Sequence, residues 1–563
     1  MFTGKRPRFN GPTDGVTLSG TRTVDGWHSG DTRPVRGPKV QNGGASAVNL
    51  SGKRTETAQT DRGQSGPAGI AVNSLEKRGL ASGRTPLFVC LGYVAERGRI
   101  NMMEMITTVN SAVSDFVWGP IMLALLVGTG VFLTCRTGWV QVRRFGYIMK
   151  NTVGSLFRKS DKDHGSNLSP FQAVTTALAG TVGTGNIAGV TGAIFIGGPG
   201  AVFWMWVSAF FGMCTKYAEI ALALEYRVTD ENGTHKGGPM YYIERGLGKG
   251  WKPLAVLFAL LGGVASFGIG NIAQSSEIAG AMNGMFGMDT RVAGVLLAVI
   301  VAVVVIGGVK RIGQVASYLV PFMAIFYILA GVVVIVMRIG DVPGVLANIV
   351  TSAFSMEAVG GGVFGYAFMV AMKQGFARGV FSNEAGLGSA PIAHAASSTD
   401  EPIEQAMWGV FEVFIDTIVI CTITSLTVLL SGLELGESAL AAYTSNGAAA
   451  VKAFNTILPG ELGGLIIQVS LLFFALSTIL GWSYYGERCW GYLTGENKVI
   501  KIVYKAAFVL MCVVGSTGSG KLMWSIADTL NGMMAIPNLV GLLALSGVVA
   551  RLSRDYFNKT IKK

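Results

Sequence analysis

Apolar residues run along most of this chain in blocks of about 17 to 30, separated by short polar or basic stretches. Blocks of that length match a helix crossing roughly 30 Å of hydrocarbon, at 1.5 Å per residue. The pattern predicts helices near 115–135, 169–197, 200–225, 252–280, 291–309, 314–338, 361–396, 404–432, 463–486, 499–515 and 522–549. The expected fold is an all-α membrane protein with eleven transmembrane helices. Half of the 563 residues are hydrophobic and 14% are charged, well below the quarter usual in soluble domains. The 78 glycines suit membrane helices, where small residues let backbones approach closely.

Two blocks depart from simple apolar helix. The block at 169–197 reads ALAGTVGTGNIAGVTGAIFIGGPG, with Gly180, Gly183, Gly185 and Gly189 crowding its middle. The block at 361–396 reads KQGFARGVFSNEAGLGSAP and carries Gly375, Gly379, Gly386 and Gly388 along with Lys373, Arg378 and Glu384. Glycine costs a helix interior about 1 kcal/mol relative to alanine, so both blocks are expected to unwind. Both also hold an N-x-A-G string, at Asn186–Gly189 and Asn383–Gly386, five helices apart. Paired interrupted helices in two halves of a chain point to an inverted-repeat transporter and its binding site. Glycine seams for helix packing are the plainer explanation of any one such block; the pairing favours a site.

Charge sets the topology. The short loops that alternation places inside carry about 22 Lys and Arg, against about 4 in those placed outside, so the C-terminus is expected in the cytoplasm and the N-terminus outside. Residues 1–101 read as a separate basic extension, with a net charge near +8 over the first hundred residues. They are rich in Gly, Ser, Thr and Pro, without periodicity, as in disordered segments. That charge conflicts with an outside location, whereas a start at Met102 or Met103 would present Glu104 and Asp115. The extension is therefore expected to be untranslated in the cell or unstructured. The remaining expected divisions are an extra helix with its cytoplasmic loop (102–168), two five-helix repeats (169–340 and 341–550) and a basic tail (551–563).

Enzyme chemistry finds no footing. Six cysteines and four histidines are dispersed, which gives no disulfide framework, metal cluster or nucleophile–base set. The string GSTGSGKL (515–522) lacks the Ser/Thr that should follow the lysine of a phosphate loop. Charged residues inside the apolar blocks need partners or roles. Lys216 and Glu219 are spaced as an i, i+3 pair. Glu412 and Asp416 would share a helix face, with one protonated or both facing water. Glu277 and Asp528 have no evident partner.

The strings FQAVTTALAGTVGTGNIAGV (171–190), KYAEIALALEYR (216–227), GGPMYYIERGLG (237–248), KQGFARGVFSNEAGLGSAP (373–391) and ALSTILGWSYYGER (475–488) resemble the alanine/glycine:cation symporter family. That resemblance implies a leucine-transporter-like core of two inverted five-helix repeats with one extra N-terminal helix. It implies a cell-membrane protein that imports a small neutral amino acid (alanine, glycine or D-alanine) with sodium as coupling ion, without a cofactor and without nucleic acid. It also implies that Thr184, Gly185 and Asn186 hold the amino acid's carboxylate and amino groups. Gln274 would add a side-chain contact, and Phe376 would stand at the break of the sixth core helix. Trp482, with Thr478 and Ile479, would close the pocket. Sodium would take the carbonyls of Ala179, Val182 and Phe474 and the hydroxyls of Ser477 and Thr478. Proton coupling and passive facilitation remain the alternatives. Edman sequencing of protein purified from its natural host is expected to read a start at Met102 or Met103; a start near Met1 would refute the expectation for the extension.

Overall fold

A computed structural model describes residues 102–155, 165–354, 366–518 and 521–561. The extension 1–101 and the opening of the 361–396 block lie outside these described residues. Among the described residues, apart from one two-stranded hairpin, Val228–Thr229 against His235–Lys236, the regular elements are helical.

In chain order the principal helices are α1 (Met102–Val117), α2 (Pro120–Arg136), α3 (Pro170–Thr181), α4 (Val190–Gly197), α5 (Gly200–Glu225), α6 (Pro239–Leu247), α7 (Lys252–Phe267), α8 (Ala273–Phe286), α9 (Thr290–Ile306), α10 (Gly308–Met337) and α11 (Val342–Phe354). There follow α12 (Tyr366–Asn383), α13 (Ala390–His394), α14 (Pro402–Val413), α15 (Thr422–Leu430), α16 (Asn446–Ile457), α17 (Leu462–Leu493), α18 (Lys498–Ser516), α19 (Lys521–Met533), α20 (Ala535–Ala544) and α21 (Ser546–Ile561). Among the described residues, eight helical stretches are long and apolar enough to cross a bilayer, and the pair α3 and α4, bent by 49°, makes a ninth. Of the eleven expected spans, α9 is apolar but only 17 residues long, and the 361–396 block is split between α12 and α13.

Side chains that remain exposed on α9, α10 and α18 are largely apolar: Val295, Val299, Val303, Phe322, Ile325, Leu329, Ile502 and Leu510. A water-facing helix reverses that pattern; this one suits hydrocarbon.

Glycines set how closely the helices approach. On α12, a Cβ at Gly375 would meet the Ala201 carbonyl of α5 at 2.3 Å, and one at Gly379 would meet Ser208 at 2.8 Å. These two glycines are therefore a packing seam inside a continuous helix, contrary to the expected interruption there. A similar seam joins α17 to α3, where a Cβ on Gly481 would come within 2.7 Å of the Gly180 nitrogen. The string 515–522 begins in the last turn of helix α18 rather than after a strand, which removes the remaining support for a phosphate loop.

At the end of the bundle that carries the hairpin, Glu496 pairs with Lys501 at 2.8 Å and Lys236 at 3.2 Å, and Glu487 pairs with Lys505 at 3.2 Å. Burial raises the Glu496 carboxyl, but Lys501, Arg488 and Lys236 more than offset it and hold the group below the usual carboxylate range. This ionic cluster ties the hairpin to the ends of α17 and α18.

Gly375→Val places branched carbons where only backbone fits. It should destabilise the protein by about 1–3 kcal/mol, read as a lower midpoint in thermal unfolding of detergent-purified protein; an unchanged midpoint would contradict the seam.

Candidate functional site

The first break follows α3. Ser169 and Gln172 form a capping box at its start and Pro170 occupies its first turn. At its end Val182 turns extended, with ψ of 92°, so the last carbonyls of the helix lose their intrahelical partners. The chain resumes through a wide π-type turn, Gly185–Gly189, before α4. Asn186 repairs part of the damage: its Oδ1 accepts from the Gly183 N–H at 2.9 Å. Its Nδ2 donates to Asp416 Oδ1 at 2.6 Å and to Ser382 Oγ at 2.8 Å.

The second break follows α12. Glu384, Gly386 and Gly388 take φ of +55°, +92° and +85°, a region that L side chains rarely adopt. Asn383 plays the part here that Asn186 plays in the first break. Its Oδ1 accepts from the Ala385 N–H at 3.0 Å, and its Nδ2 donates to Thr417 at 3.1 Å. The Gly386 N–H donates to Glu219 of α5 at 3.0 Å, and Asn538 donates both to that carboxylate and to the Gly386 carbonyl.

Both breaks thus dock on neighbouring residues, Asp416 and Thr417. These lie in a π-type segment, Phe414–Cys421, between α14 and α15. Asp416 is fully buried and accepts from three neutral donors, Asn186, Ser382 and Thr417, at 2.6–2.8 Å. A carboxylate so placed, between two helix ends, can complete the binding of a positive charge. The repeated N-x-A-G string was the signal for the two asparagines. Nothing local in the sequence marked Ser382 or the π-type segment.

Of the residues expected to form the pocket, Thr184 and Gln274 come together: the threonine hydroxyl donates to Gln274 Oε1 at 3.0 Å. Gln274 in turn donates to the Ile269 carbonyl at 3.2 Å, in another π-type stretch, Gly268–Ile272. Trp482 is buried, and its N–H donates to Glu384 Oε1 at 3.1 Å. Thr478 lies against the first break, where a Cβ at Gly183 would sit 2.5 Å from its hydroxyl. Ile479 is fully buried beside it. Phe376 is the exception. It lies within unbroken α12 with its ring 5.4 Å from Trp204, so the expectation that it stands at a break is corrected. The aromatic ring beside the first break belongs to Phe381, 3.4 Å from a Cβ built on Gly185.

Of the oxygens expected for a small cation, those of Ser477 and Val182 meet across two helices, and Thr478 bonds within its own helix. Ser477 Oγ lies 2.8 Å from the Phe474 carbonyl and 3.5 Å from that of Val182; Thr478 Oγ1 lies 3.0 Å from the Phe474 carbonyl. Ala179 enters through the glycine seam, its carbonyl carbon 3.2 Å from a Cβ built on Gly481. Carbonyls and hydroxyls of this kind are hard ligands suited to an alkali cation. Among the described residues, no three His, Cys, Asp or Glu gather as a transition-metal site.

The buried charges are paired differently from their sequence spacing. Lys216 pairs with Glu412 at 3.2 Å, not with Glu219. Glu412 also bonds His394 at 3.0 Å and receives the Thr181 hydroxyl at 3.4 Å. Glu412 and Asp416 are both fully buried with separate partners, so neither faces water. Asp528 interacts with the charge of Arg378, and the carboxylate of Glu277 lies 3.1 Å from a Cβ built on Gly447.

Comparison with known proteins matches residues 103–563 to the sodium:alanine symporter family. A sodium/alanine symporter, AgcS, from Methanococcus maripaludis is 51% identical, covering 81% of this chain and 98% of the relative. Amino-acid carrier protein AlsT of Bacillus subtilis is 38% identical over 79% of this chain and 90% of its own length. From the same organism, a protein named probable sodium/glutamine symporter GlnT is 37% identical, over 81% and 91%. Among solved structures, MhsT in complex with L-phenylalanine matches with 13% identity and a TM-score of 0.49, covering 68% of this chain and 98% of that one. The chain is a multi-pass membrane transporter that belongs to the sodium:alanine symporter family.

Proposed function

We propose that the protein imports a small neutral amino acid, alanine or glycine, together with sodium, by alternating access. One observation carries the reading: two helix breaks meet on a single buried segment, where side-chain amides, hydroxyls and one carboxylate cluster between them. A zwitterion and a small cation are the ligands such a set accommodates. The name of the Methanococcus maripaludis relative supports sodium and alanine.

In the proposed arrangement the substrate's carboxylate and amino groups meet Thr184, Gly185 and Asn186, with Gln274 steadying Thr184. Phe381 joins or replaces Phe376 as the aromatic wall, and Trp482, Thr478 and Ile479 close the side-chain end. Sodium takes Ala179, Val182, Phe474, Ser477 and Thr478. Rocking of the helices around this centre then exposes it to the cytoplasm. Eleven crossings in an extra-helix plus five-and-five inverted plan, with the N-terminus outside, complete the proposal. The charge asymmetry of the loops and the paired breaks support it.

One cation moving down about 100 mV releases about 2.3 kcal/mol, which at 1.4 kcal/mol per decade supports roughly 50-fold accumulation before any concentration gradient. A second reading, proton coupling, draws on the buried His394–Glu412–Lys216 cluster, which touches the end of α3 through Thr181.

Proteoliposomes separate the two. Labelled alanine should accumulate under an inward sodium gradient and fail to accumulate when a proton gradient replaces it; equal uptake without either gradient would leave only a facilitator. Thr478→Ala removes one hydroxyl from the cation set and should raise the sodium concentration for half-maximal uptake about tenfold, in line with the loss of one polar contact to a charge. Sodium activation identical to wild type would exclude Thr478 from that set.

A further inference from the structure

Trp482 is the largest fully buried side chain among the described residues, and three contacts fix its position. On one side it packs on α7–α8 backbone: a Cβ at Gly270 would fall 2.3 Å from the Trp482 Cβ, so only glycine lets the tryptophan sit there. On another side stands Tyr485, ring to ring at 5.5 Å and 67°. Tyr485 packs in turn on the last turns of α3, just before the first break, donating to the Ala177 carbonyl at 3.3 Å and lying over Gly180, where a Cβ would come 2.7 Å from its hydroxyl.

The third restraint comes from the second break. The indole N–H donates to Glu384 Oε1 at 3.1 Å. Glu384 is the first residue of that break and holds a left-handed backbone, φ +55°, that a side chain of its size does not adopt freely. Its other oxygen accepts from the hydroxyl of Ser389, the residue at the start of α13. The carboxylate therefore spans the unwound segment from end to end and presents its free edge to the indole. An indole N–H inside a protein needs an acceptor; without one, the ring has reason to rotate toward another partner.

We propose that Glu384 is a specificity-determining positioning residue: by holding the Trp482 indole, it sets the width of the side-chain end of the substrate pocket. The inference rests on the reading that Trp482 closes that pocket. A bulky wall excludes larger side chains sterically, which discriminates better than recognising a methylene. Such a wall works only while its rotamer is held. Because Glu384 and Tyr485 report the two breaks to one indole, the wall stands in place when both breaks are seated.

The test uses the full chain in proteoliposomes with an inward sodium gradient, measuring kcat/KM for L-alanine and for L-valine. Glu384→Ala should lower the alanine-to-valine ratio about tenfold, through faster valine transport rather than slower alanine transport. Glu384→Gln retains an acceptor for the indole and should keep the ratio of the wild type. Ser389→Ala, which leaves Glu384 in place but removes its brace, should lower the ratio about threefold. Equal losses for both substrates in Glu384→Ala would mark a merely structural role and overturn the proposal. If that variant yields no folded protein, Ser389→Ala decides, and an unchanged ratio there overturns it. The sodium dependence of wild-type alanine uptake is scored separately. Sodium-independent uptake defeats the symport reading while the ratio still judges Glu384, and a wild type that transports neither amino acid defeats both.

Discussion

A peptide group released from its helix in a low-dielectric interior must bond to something else, or it costs several kcal/mol. That constraint organises this protein. Two helices are opened at depth, and each opened end is repaired by an asparagine: Asn186 on the Gly183 N–H and Asn383 on the Ala385 N–H. The same two side chains use their amide nitrogens to reach Asp416 and Thr417. Repair and assembly are thus accomplished by the same residues. Around the first break the carbonyls of Ala177 and Val182 are met by hydroxyls of α17, Tyr485 and Ser477.

The surrounding helices serve this arrangement by close approach. Gly481 against Gly180 brings α17 backbone to backbone with α3, and Gly375 and Gly379 seat α12 on α5. Buried charge follows the same economy of contacts. Lys216, Glu412 and His394 neutralise one another while linking α5, α14 and α13, and removal of one member would leave an uncompensated charge, the costly case for a buried pair.

Much of this was legible in the residues alone. The spacing of apolar blocks located the helices, and glycine crowding from Gly180 to Gly189 marked the first break. The N-x-A-G strings marked both repairing asparagines before any geometry was known. Glycine content misled at Gly375 and Gly379, because a glycine that opens a helix and one that lets a neighbour approach are the same letter. Only tertiary packing separates the two, and it leaves Phe376 inside an unbroken helix. Charge pairing was misread for a related reason. Sequence spacing sees partners on one helix, Lys216 with Glu219, but cannot see that Glu412 arrives from a helix almost two hundred positions later. The π-type segment at Phe414–Cys421 has no composition of its own and could not have been read.

That segment also fixes what the chain can tolerate. Each residue of an α-helix turns the chain by about 100°, and a π-type turn amounts to one residue more than the regular ladder holds. Near its start Asp416 accepts from Asn186, and just beyond its end Thr424 donates to the carbonyl of the same Asn186 at 2.8 Å. Both ends address one residue only because the surplus is there. Wound as regular helix, the eight positions from Asp416 to Thr424 would turn about 800°, leaving the two side chains about 80° apart and Thr424 rotated away from the first break. The wide winding of this stretch, more than the identity of most of its letters, keeps helix and break in phase.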